Sequence, residues 1–386
     1  MAKHSPKPPK PETKKARAIR KREEQQALYI YIGLGAVALI ILLLLALGLY
    51  QEFYAKPASP VAIVGSTPIR TDAYQKRVRL ERYNLKRNKE ALESQKTLLD
   101  PQKEEDKYYI QLIDTQLQLL QSRLENVGLL VLEEMIEEEL IRQKAAEEGV
   151  TVSAEEVQLY IERLFGYERN PPTPTPTPVT ATLTITETPT PSPSPMSEED
   201  FQKLYQSFLA ILNKEAGISE QEYRDMVAVS LLREKLRQVL ADKVPTTAEQ
   251  VHVRHILLDS EEEAKKVLEE LRQGADFAEL ARKYSKDEET KENGGDLGWL
   301  PKGEMEPAFD AAAFSLKVGE ISDVIRTSRG YHIIKVEGHE MDRELDPEYL
   351  AKRRASALDD WLRQVKYSDK VKRLWKPEMV PPEKSS

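Results

Sequence analysis

The sequence predicts a multidomain protein in which an N-terminal transmembrane helix is followed by a mainly α-helical domain and a compact α+β domain. Three patterns lead to this fold class. Residues 28–50 form an uncharged apolar run, residues 72–148 show helical periodicity, and residues 250–338 alternate between strand-like, helical and glycine-rich stretches. The 386 residues suffice for two or three domains, and a chain that is 40% hydrophobic and 32% charged is mostly globular.

Charge and cysteine content exclude several classes of function. Residues 1–27 hold nine Lys/Arg and three Glu, a local charge of 9 − 3 = +6, so the remainder of a chain with net charge −8 carries −8 − 6 = −14. An acidic body of this kind argues against nucleic acid as a partner. The chain has no cysteine, which excludes disulfides, thiolate metal ligands and a cysteine nucleophile.

The run "LYIYIGLGAVALIILLLLALGLY", residues 28–50, contains 23 residues and no charge. A helix needs about 20 apolar residues to cross a bilayer, whereas the apolar part of a cleaved signal peptide usually has ~7–15. We therefore expect a retained single-pass anchor in the cell membrane, with a signal peptide as the alternative. Eight Lys/Arg in residues 7–27 against two in residues 51–70 predict that the basic tail, residues 1–27, is cytoplasmic and that the later domains are extracytoplasmic.

Residues 60–170 are expected to form the first part of a helical domain. A brief hairpin that turns at Gly65 opens the segment, and Thr71 is then placed to cap a helix. Helical periodicity follows, with a break predicted at Pro101. Residues 129–149 carry an apolar stripe on one helical face and end in a glycine that stops the helix.

Residues 171–196 interrupt this helical domain. The segment "PPTPTPTPVTATLTITETPTPSPSP" has nine prolines, eleven Ser/Thr and one charge, a composition that cannot bury enough apolar surface to fold. It is predicted to be a disordered spacer, with a proline-rich docking motif as the alternative. Helical periodicity resumes in residues 197–249, and residues 345–376 are predicted to form an amphipathic helix with Leu358 and Trp361 on its apolar side.

Residues 250–338 form the predicted α+β domain. The stretch "VHVRHILL" alternates as a strand with His255 on its apolar face, and "GYHIIKVE" does the same with His332. Between these strands, Ser260 and Asp276 are placed to cap two helices. A histidine on an apolar strand face is commonly an ordinary core residue, and this alternative stays open for both histidines.

The stretch "GGDLGWLPKGEMEPAF", residues 294–309, combines frequent glycine and proline with large apolar side chains. Glycine and proline favour a tightly turned backbone, whereas Leu297, Met305 and Phe309 are unsuited to a solvated loop. The segment is therefore expected to hold these three side chains in fixed positions. They form either the walls of an apolar pocket or part of an ordinary core.

Six ordered motifs across residues 253–337 resemble the parvulin family of peptidyl-prolyl isomerases: "VRHILL", "YSKD", "GGDLGW", "GEMEPAF", "AAFSLKVGEISDVI" and "GYHIIKVE". The flanking helices are similar to the chaperone domain of bacterial extracytoplasmic foldases of the PrsA, SurA and PpiD types. The resemblance implies a parvulin domain with a four-stranded antiparallel sheet in residues 250–338. It also implies a chaperone domain of the SurA-N/PrsA type formed by residues 60–170 and 197–249, on which the C-terminal helix, residues 345–376, would pack.

The resemblance implies two groups of site residues. The catalytic group is His255, Asp287, Thr327 and His332. The group that binds the substrate is Leu297, Met305, Glu306 and Phe309. In the catalytic group the two histidines face each other, the threonine hydrogen-bonds the pair, and the aspartate occupies a position that is acidic or cysteine across the family. The loop after this aspartate is one residue longer than in typical members, so a displaced carboxylate is an open alternative.

These features predict a membrane-anchored extracytoplasmic isomerase and chaperone that acts on unfolded exported polypeptides with X-Pro bonds. No cofactor is expected, and no phosphate-binding loop occurs in the sequence. His252 and His255 are three residues apart on a strand and therefore point to opposite faces, so no metal site is expected. A homodimer is left open. The alternatives are an ATP-independent holdase with a weak or inactive parvulin domain, and a surface scaffold.

Overall fold

The chain forms two compact units, and each unit is made of more than one stretch of sequence. The computed structural model describes residues 39–51, 56–169 and 196–383. Of the described residues, those within Met1–Glu147, Thr151–Leu232 and Gln364–Ser386 form the first unit, and those within Glu148–Val150 and Arg233–Arg363 form the second. The basic tail and all of the proline-rich spacer except Met196 lie outside the described residues. The mostly helical, multidomain organisation predicted from the sequence is confirmed.

The predicted transmembrane helix is described only in its second half. Residues 39–50 are helical, and their leucine and isoleucine residues are between 52% and 63% exposed. Residues 28–38 lie outside the described ranges. Among the described residues, no helix combines the length and the hydropathy that a membrane crossing requires.

The first unit contains a hairpin of two antiparallel strands, β1 (Pro60–Val64) and β2 (Thr67–Arg70). The helices that follow are α1 (Thr71–Thr97), α2 (Glu104–Glu125), α3 (Val127–Glu147), α4 (Ala154–Leu164) and α5 (Glu198–Ala216). The predicted hairpin and the predicted break at Pro101 are confirmed. The prediction that Thr71 caps α1 is wrong, because its hydroxyl donates to the Ser59 carbonyl at 2.8 Å and Arg70 takes the N-cap position.

The second unit contains the four-stranded antiparallel sheet that the sequence predicted. Its strands are β3 (Thr247–Leu258), β4 (Asp296–Pro301), β5 (Ile325–Thr327) and β6 (Gly330–Glu344), in the order β4–β3–β6–β5. Helices α7 (Glu261–Arg272), α8 (Phe277–Tyr284) and α9 (Pro307–Ala313) lie within this unit. Helix α6 (Glu220–Asp242) begins in the first unit and ends in the second, and α10 (Pro347–Lys366) begins in the second and ends in the first. Ser260 and Asp276 cap α7 and α8 with their side chains, as predicted.

Alternation along β3 and β6 gives the sheet two apolar faces. The core cluster on one face includes Ile256, Leu258 and Ile333 with residues of α7 and α8. The cluster on the other face includes Val251, Val253, Ile334 and Phe309. His255 and His332 are two residues from Val253 and Ile334, so both histidines belong to the second face. The sheet therefore has helices α7 and α8 on one face and the two histidines on the other.

The C-terminal segment adds a third strand to the hairpin of the first unit. Helix α10 ends at Lys366, and β7 (Val371–Arg373) pairs antiparallel with β1 in a sheet of order β2–β1–β7. The sequence had predicted helix up to residue 376. A strand is favoured here because the open edge of β1 offers backbone hydrogen bonds, including one from the Leu374 N–H to the Val61 carbonyl at 2.8 Å.

Candidate active site

The central pair of strands brings two histidines together. In the antiparallel pairing of β3 with β6, His255 lies opposite Ile334 and His332 lies opposite Leu257, so the histidines are diagonal neighbours on one face. Their rings stack with centroids 5.5 Å apart and an interplanar angle of 23°, and their Nδ1 atoms are 3.3 Å apart. His255 is 0% exposed and His332 is 2% exposed, so the pair is shielded from bulk solvent.

The loop between α8 and β4 supplies a carboxylate to this pair. Asp287 Oδ2 lies 2.7 Å from His255 Nε2, and Asp287 is buried. The loop is held against β3 near both of its ends. The Lys286 N–H donates to the Leu257 carbonyl, and the His255 N–H donates to the Gly295 carbonyl, each at 2.8 Å. These backbone bonds place the carboxylate beside the histidines, so Asp287 is not displaced from the pair.

The turn between β5 and β6 approaches the pair from another side. Thr327 Oγ1 lies 2.8 Å from His332 Nε2 and accepts a hydrogen bond from the Arg329 N–H at 3.1 Å. The neighbouring Ser328 donates from its N–H and its hydroxyl to the Glu306 carboxylate at 3.0 and 2.6 Å. Glu306 immediately precedes α9, so these two bonds connect the start of that helix to the turn.

The apolar residues expected at the site lie in one cluster. The Phe309 ring is edge-on to His332, with centroids 5.5 Å apart at 88°, and its centroid is 6.3 Å from that of His255. Phe309 is only 1% exposed and is part of the core. Leu297 and Met305 pack against the same cluster and are half-buried. The accessible apolar surface among these three residues therefore belongs to Leu297 and Met305.

The pKa values of His255, His332 and Asp287 are all lowered, the histidines by burial and the aspartate by its hydrogen bonds. The His332 pKa falls from 6.5 to about 4, because the ring is buried and because His255 and Arg329 lie near it. Burial also lowers the pKa of His255, against the raising effect of Asp287. Burial alone would raise the pKa of the Asp287 carboxyl, but hydrogen bonds from Thr290 and His255 outweigh it and lower that pKa. At neutral pH the site contains two neutral imidazoles and one carboxylate.

These protonation states fix the direction of the hydrogen bonds in the network. The Asp287 carboxylate only accepts, so His255 donates to it from Nε2. A neutral His255 then has a bare Nδ1, which accepts from His332 Nδ1. The neutral His332 in turn has a bare Nε2, which accepts from the Thr327 hydroxyl. The hydrogen bonds therefore all point the same way: Thr327 donates to His332, His332 donates to His255, and His255 donates to Asp287. Each of the four ring nitrogens has a hydrogen-bond partner.

Sequence reasoning missed two residues of this network. Thr290 Oγ1 donates to Asp287 Oδ2 at 2.6 Å and lies 3.1 Å from His255 Nε2. A hydroxyl residue three positions after an aspartate in a turn is a local signal that could have identified it. Ser328 bonds Glu306 across 22 positions in sequence, and no local pattern marks such a contact.

The second histidine of β3 is separate from this network. His252 Nε2 lies 2.8 Å from Asp296 Oδ1, and its ring stacks on Trp299 with centroids 5.5 Å apart. In the three described ranges, no group of three or more His, Asp or Glu side chains is arranged to hold a metal ion. Through its contacts with Asp296 and Trp299, His252 packs against β4, on the opposite side of its strand from His255.

Comparisons with known proteins agree on one kind of domain. Residues 255–338 match the family model described as rotamase, the PPIC-type PPIase domain. The chain is 35% identical over 193 residues to the foldase protein PrsA of Geobacillus sp. (strain WCH70), a match that covers 47% of this chain and 68% of the relative. It is 37% identical over 179 residues to the foldase protein PrsA of Oceanobacillus iheyensis, covering 41% and 56% of the two chains. The crystal structure of a peptidylprolyl isomerase (PrsA) from Bacillus cereus matches with 24% identity and a TM-score of 0.34, covering 64% of this chain and 80% of that one.

Proposed function

The chain belongs to the family of PrsA foldases and is a parvulin-type peptidyl-prolyl cis/trans isomerase, and we propose that it isomerises X-Pro bonds of exported polypeptides folding outside the cytoplasm. The observation that supports this most directly is the buried histidine pair, which is hydrogen-bonded at both ends and shares a sheet face with an apolar cluster. The reaction changes no covalent bond, so it requires no cofactor.

Prolyl isomerisation is slow because the peptide bond has partial double-bond character. The barrier to rotation is ~18–20 kcal/mol, and uncatalysed exchange takes tens to hundreds of seconds. An enzyme accelerates the rotation by binding the twisted amide more tightly than either planar isomer. The site must therefore hold the proline ring while the amide carbonyl turns, and it must keep water away from the amide.

The proposed roles follow from the positions of the side chains. Leu297 and Met305, together with the buried Phe309, offer an apolar surface for the proline ring. The neutral, fully bonded histidines form a rigid floor of low polarity, against which the twisted amide is favoured over a solvated planar one. Because both imidazoles are already paired, we propose that they act by keeping this floor ordered.

Replacing Asp287 and His332 together by asparagine tests the site. The double substitution removes one end and one ring of the ordered network, so kcat/KM for a short X-Pro peptide should fall at least about tenfold. The matched control is His339→Asn, which alters a histidine of the same strand that is bonded to Glu249 at 2.8 Å instead. Proline isomerisation should be measured by a protease-free assay with the purified chain. Full activity in the folded double variant would refute the site assignment but leave the family membership intact.

We also propose that the helical unit binds unfolded segments of the same clients. The hairpin of α1 and α2 has several exposed large apolar residues within its described length: Leu98, Tyr108, Tyr109, Leu112 and Leu119. Leu98 is 85% exposed and Tyr108 is 67% exposed. Exposed apolar surface of this kind commonly marks a binding site for another polypeptide. The two activities together fit a foldase that both holds and isomerises its clients.

Membrane anchoring by residues 28–50 is a further part of the proposal. The run is uncharged over 23 residues and follows a basic tail, and both features favour a retained single-pass helix with its N-terminus in the cytoplasm. The domains that follow would then lie outside the cytoplasm, where exported polypeptides fold.

The mass and location of the mature chain test the anchor. We expect the protein in the membrane fraction of expressing cells, resistant to alkaline carbonate, with an intact mass that includes residues 1–50. Deletion of residues 28–50 should leave a chain that is no longer retained by membranes. Protease added to intact protoplasts should digest the domains after residue 50. A mature N-terminus close to residue 50 would show instead that the apolar run is a cleaved signal peptide.

A further inference from the structure

Thr290 lies at the point where the Asp287 loop meets the histidine pair. Its hydroxyl donates to Asp287 Oδ2 at 2.6 Å and lies 3.1 Å from His255 Nε2, which itself lies 2.7 Å from Asp287 Oδ2. The three atoms therefore form a closed triangle of hydrogen-bonding groups.

The backbone of Thr290 is also part of the loop structure. Its carbonyl accepts the N–H of Gly295 at 2.9 Å, and its own N–H donates to the Asp287 carbonyl at 3.3 Å. Gly295 in turn accepts the His255 N–H at 2.8 Å through its carbonyl. The side chain and the main chain of one residue thus connect the carboxylate, the loop end and the strand that carries the first histidine.

We propose that Thr290 is a positioning residue for prolyl isomerisation, which orients the Asp287 carboxylate and thereby fixes the tautomers of His255 and His332. The inference rests on the proposed function of the histidine site. A carboxylate has two oxygens and can rotate, and only one of them faces His255. The Thr290 hydroxyl donates to that same oxygen, so it favours the rotamer in which the aspartate accepts from Nε2. The other oxygen faces the largely exposed Arg329 guanidinium at 3.5 Å, which is a weaker restraint.

Loss of the hydroxyl would affect the order of protons more than the fold. Without the Thr290 hydroxyl the carboxylate keeps the weaker restraint from Arg329, and a partial rotation takes its oxygen away from His255 Nε2. The Nε2–H tautomer of His255 is then no longer favoured by a hydrogen bond to the aspartate. In the alternative Nδ1–H tautomer, His255 donates to His332, so the hydrogen bond between the two rings is reversed. The Thr290 hydroxyl bonds Asp287 and lies beside His255, so its loss should affect kcat, and KM for the peptide should change little.

The test compares Thr290→Val with Thr290→Ser in the purified chain. Valine keeps the shape of threonine without the hydroxyl, and serine keeps the hydroxyl. We expect kcat for an X-Pro peptide to fall about tenfold in Thr290→Val, with KM within twofold, and to stay within twofold of the unsubstituted chain in Thr290→Ser. Glu289→Gln, an exposed change in the same loop, should leave both parameters unchanged.

Imidazole ¹⁵N spectra supply a readout that a purely structural role would not change. In the unsubstituted chain we expect His255 as the Nε2–H tautomer and His332 as the Nδ1–H tautomer, with a mixture in Thr290→Val. His255 as Nδ1–H in the unsubstituted chain would overturn the proposal even if Thr290→Val does not fold. A folded Thr290→Val with normal kcat and unchanged tautomers would also overturn it. A third outcome would be that Thr290→Val loses activity while Asp287→Asn keeps it. In that case the proposed site itself is wrong.

Discussion

Replacing Gly295 by alanine should destabilise the isomerase domain by more than about 3 kcal/mol and abolish its activity at any temperature where the domain unfolds. Gly295 has φ = +74°, a conformation that costs an L-residue roughly 1–2 kcal/mol. A Cβ at this position would also lie 2.1 Å from the carbonyl oxygen of His255 and 3.2 Å from Ala281 Cβ. The backbone of β3 would have to move, and it carries the first histidine.

Gly298 provides a matched control for this substitution. It lies three residues further along the chain with φ = +73°, but a Cβ there would meet nothing within 4 Å. Gly298→Ala should therefore cost only the conformational term of about 1–2 kcal/mol and retain most isomerase activity. Urea unfolding of both variants, followed by circular dichroism, separates the two effects. Equal destabilisation of the two variants would mean that the loop moves freely and that the close approach to His255 is unimportant.

The strongest sequence predictions concerned segments whose pattern is local. The strand that contains His255 and the helices capped by Ser260 and Asp276 were identified from alternation and from capping residues, and the structure confirms them. The glycines of "GGDLGW" were expected to turn the backbone, and Gly294 and Gly295 both have positive φ. These signals depend on neighbours within a few residues, so they can be read without knowing the fold.

Features that depend on tertiary contacts could not be predicted in the same way. The strand β7 forms because β1 has an open edge with which it can pair. The residues after Lys366 carry no pattern that would predict this edge. The bond between Ser328 and Glu306 needs the turn of one hairpin to meet the start of a helix. Family resemblance, rather than periodicity, suggested that His255 and His332 form a pair. The proton order through the pair required distances that no sequence provides.

Acid should destabilise the folded domain because His332 resists protonation there. Its pKa is about 4 in the folded chain, against 6.5 for an ordinary histidine. Between these two pH values the unfolded chain binds a proton at this residue and the folded chain does not, so the free energy of unfolding falls as the pH falls. A shift of this size corresponds to a loss on the order of 3 kcal/mol between pH 6.5 and pH 4. The lowered pKa of His255 adds loss as the pH falls below 6.5, whereas the lowered pKa of Asp287 adds loss only below pH 3.8.

Urea unfolding between pH 7.5 and pH 4, together with an NMR titration of the His332 ring, tests this expectation. Around His332, Arg329 opposes protonation whereas Glu306 and Asp287 favour it, and burial decides the balance. The folded chain should therefore titrate at His332 near pH 4. His332→Asn removes the group, so its free energy of unfolding should depend less steeply on pH than that of the unsubstituted chain, whatever the value at pH 7. A His332 midpoint near 6.5 would show that the ring is hydrated, and the rigid, neutral floor proposed for the twisted amide would then be untenable.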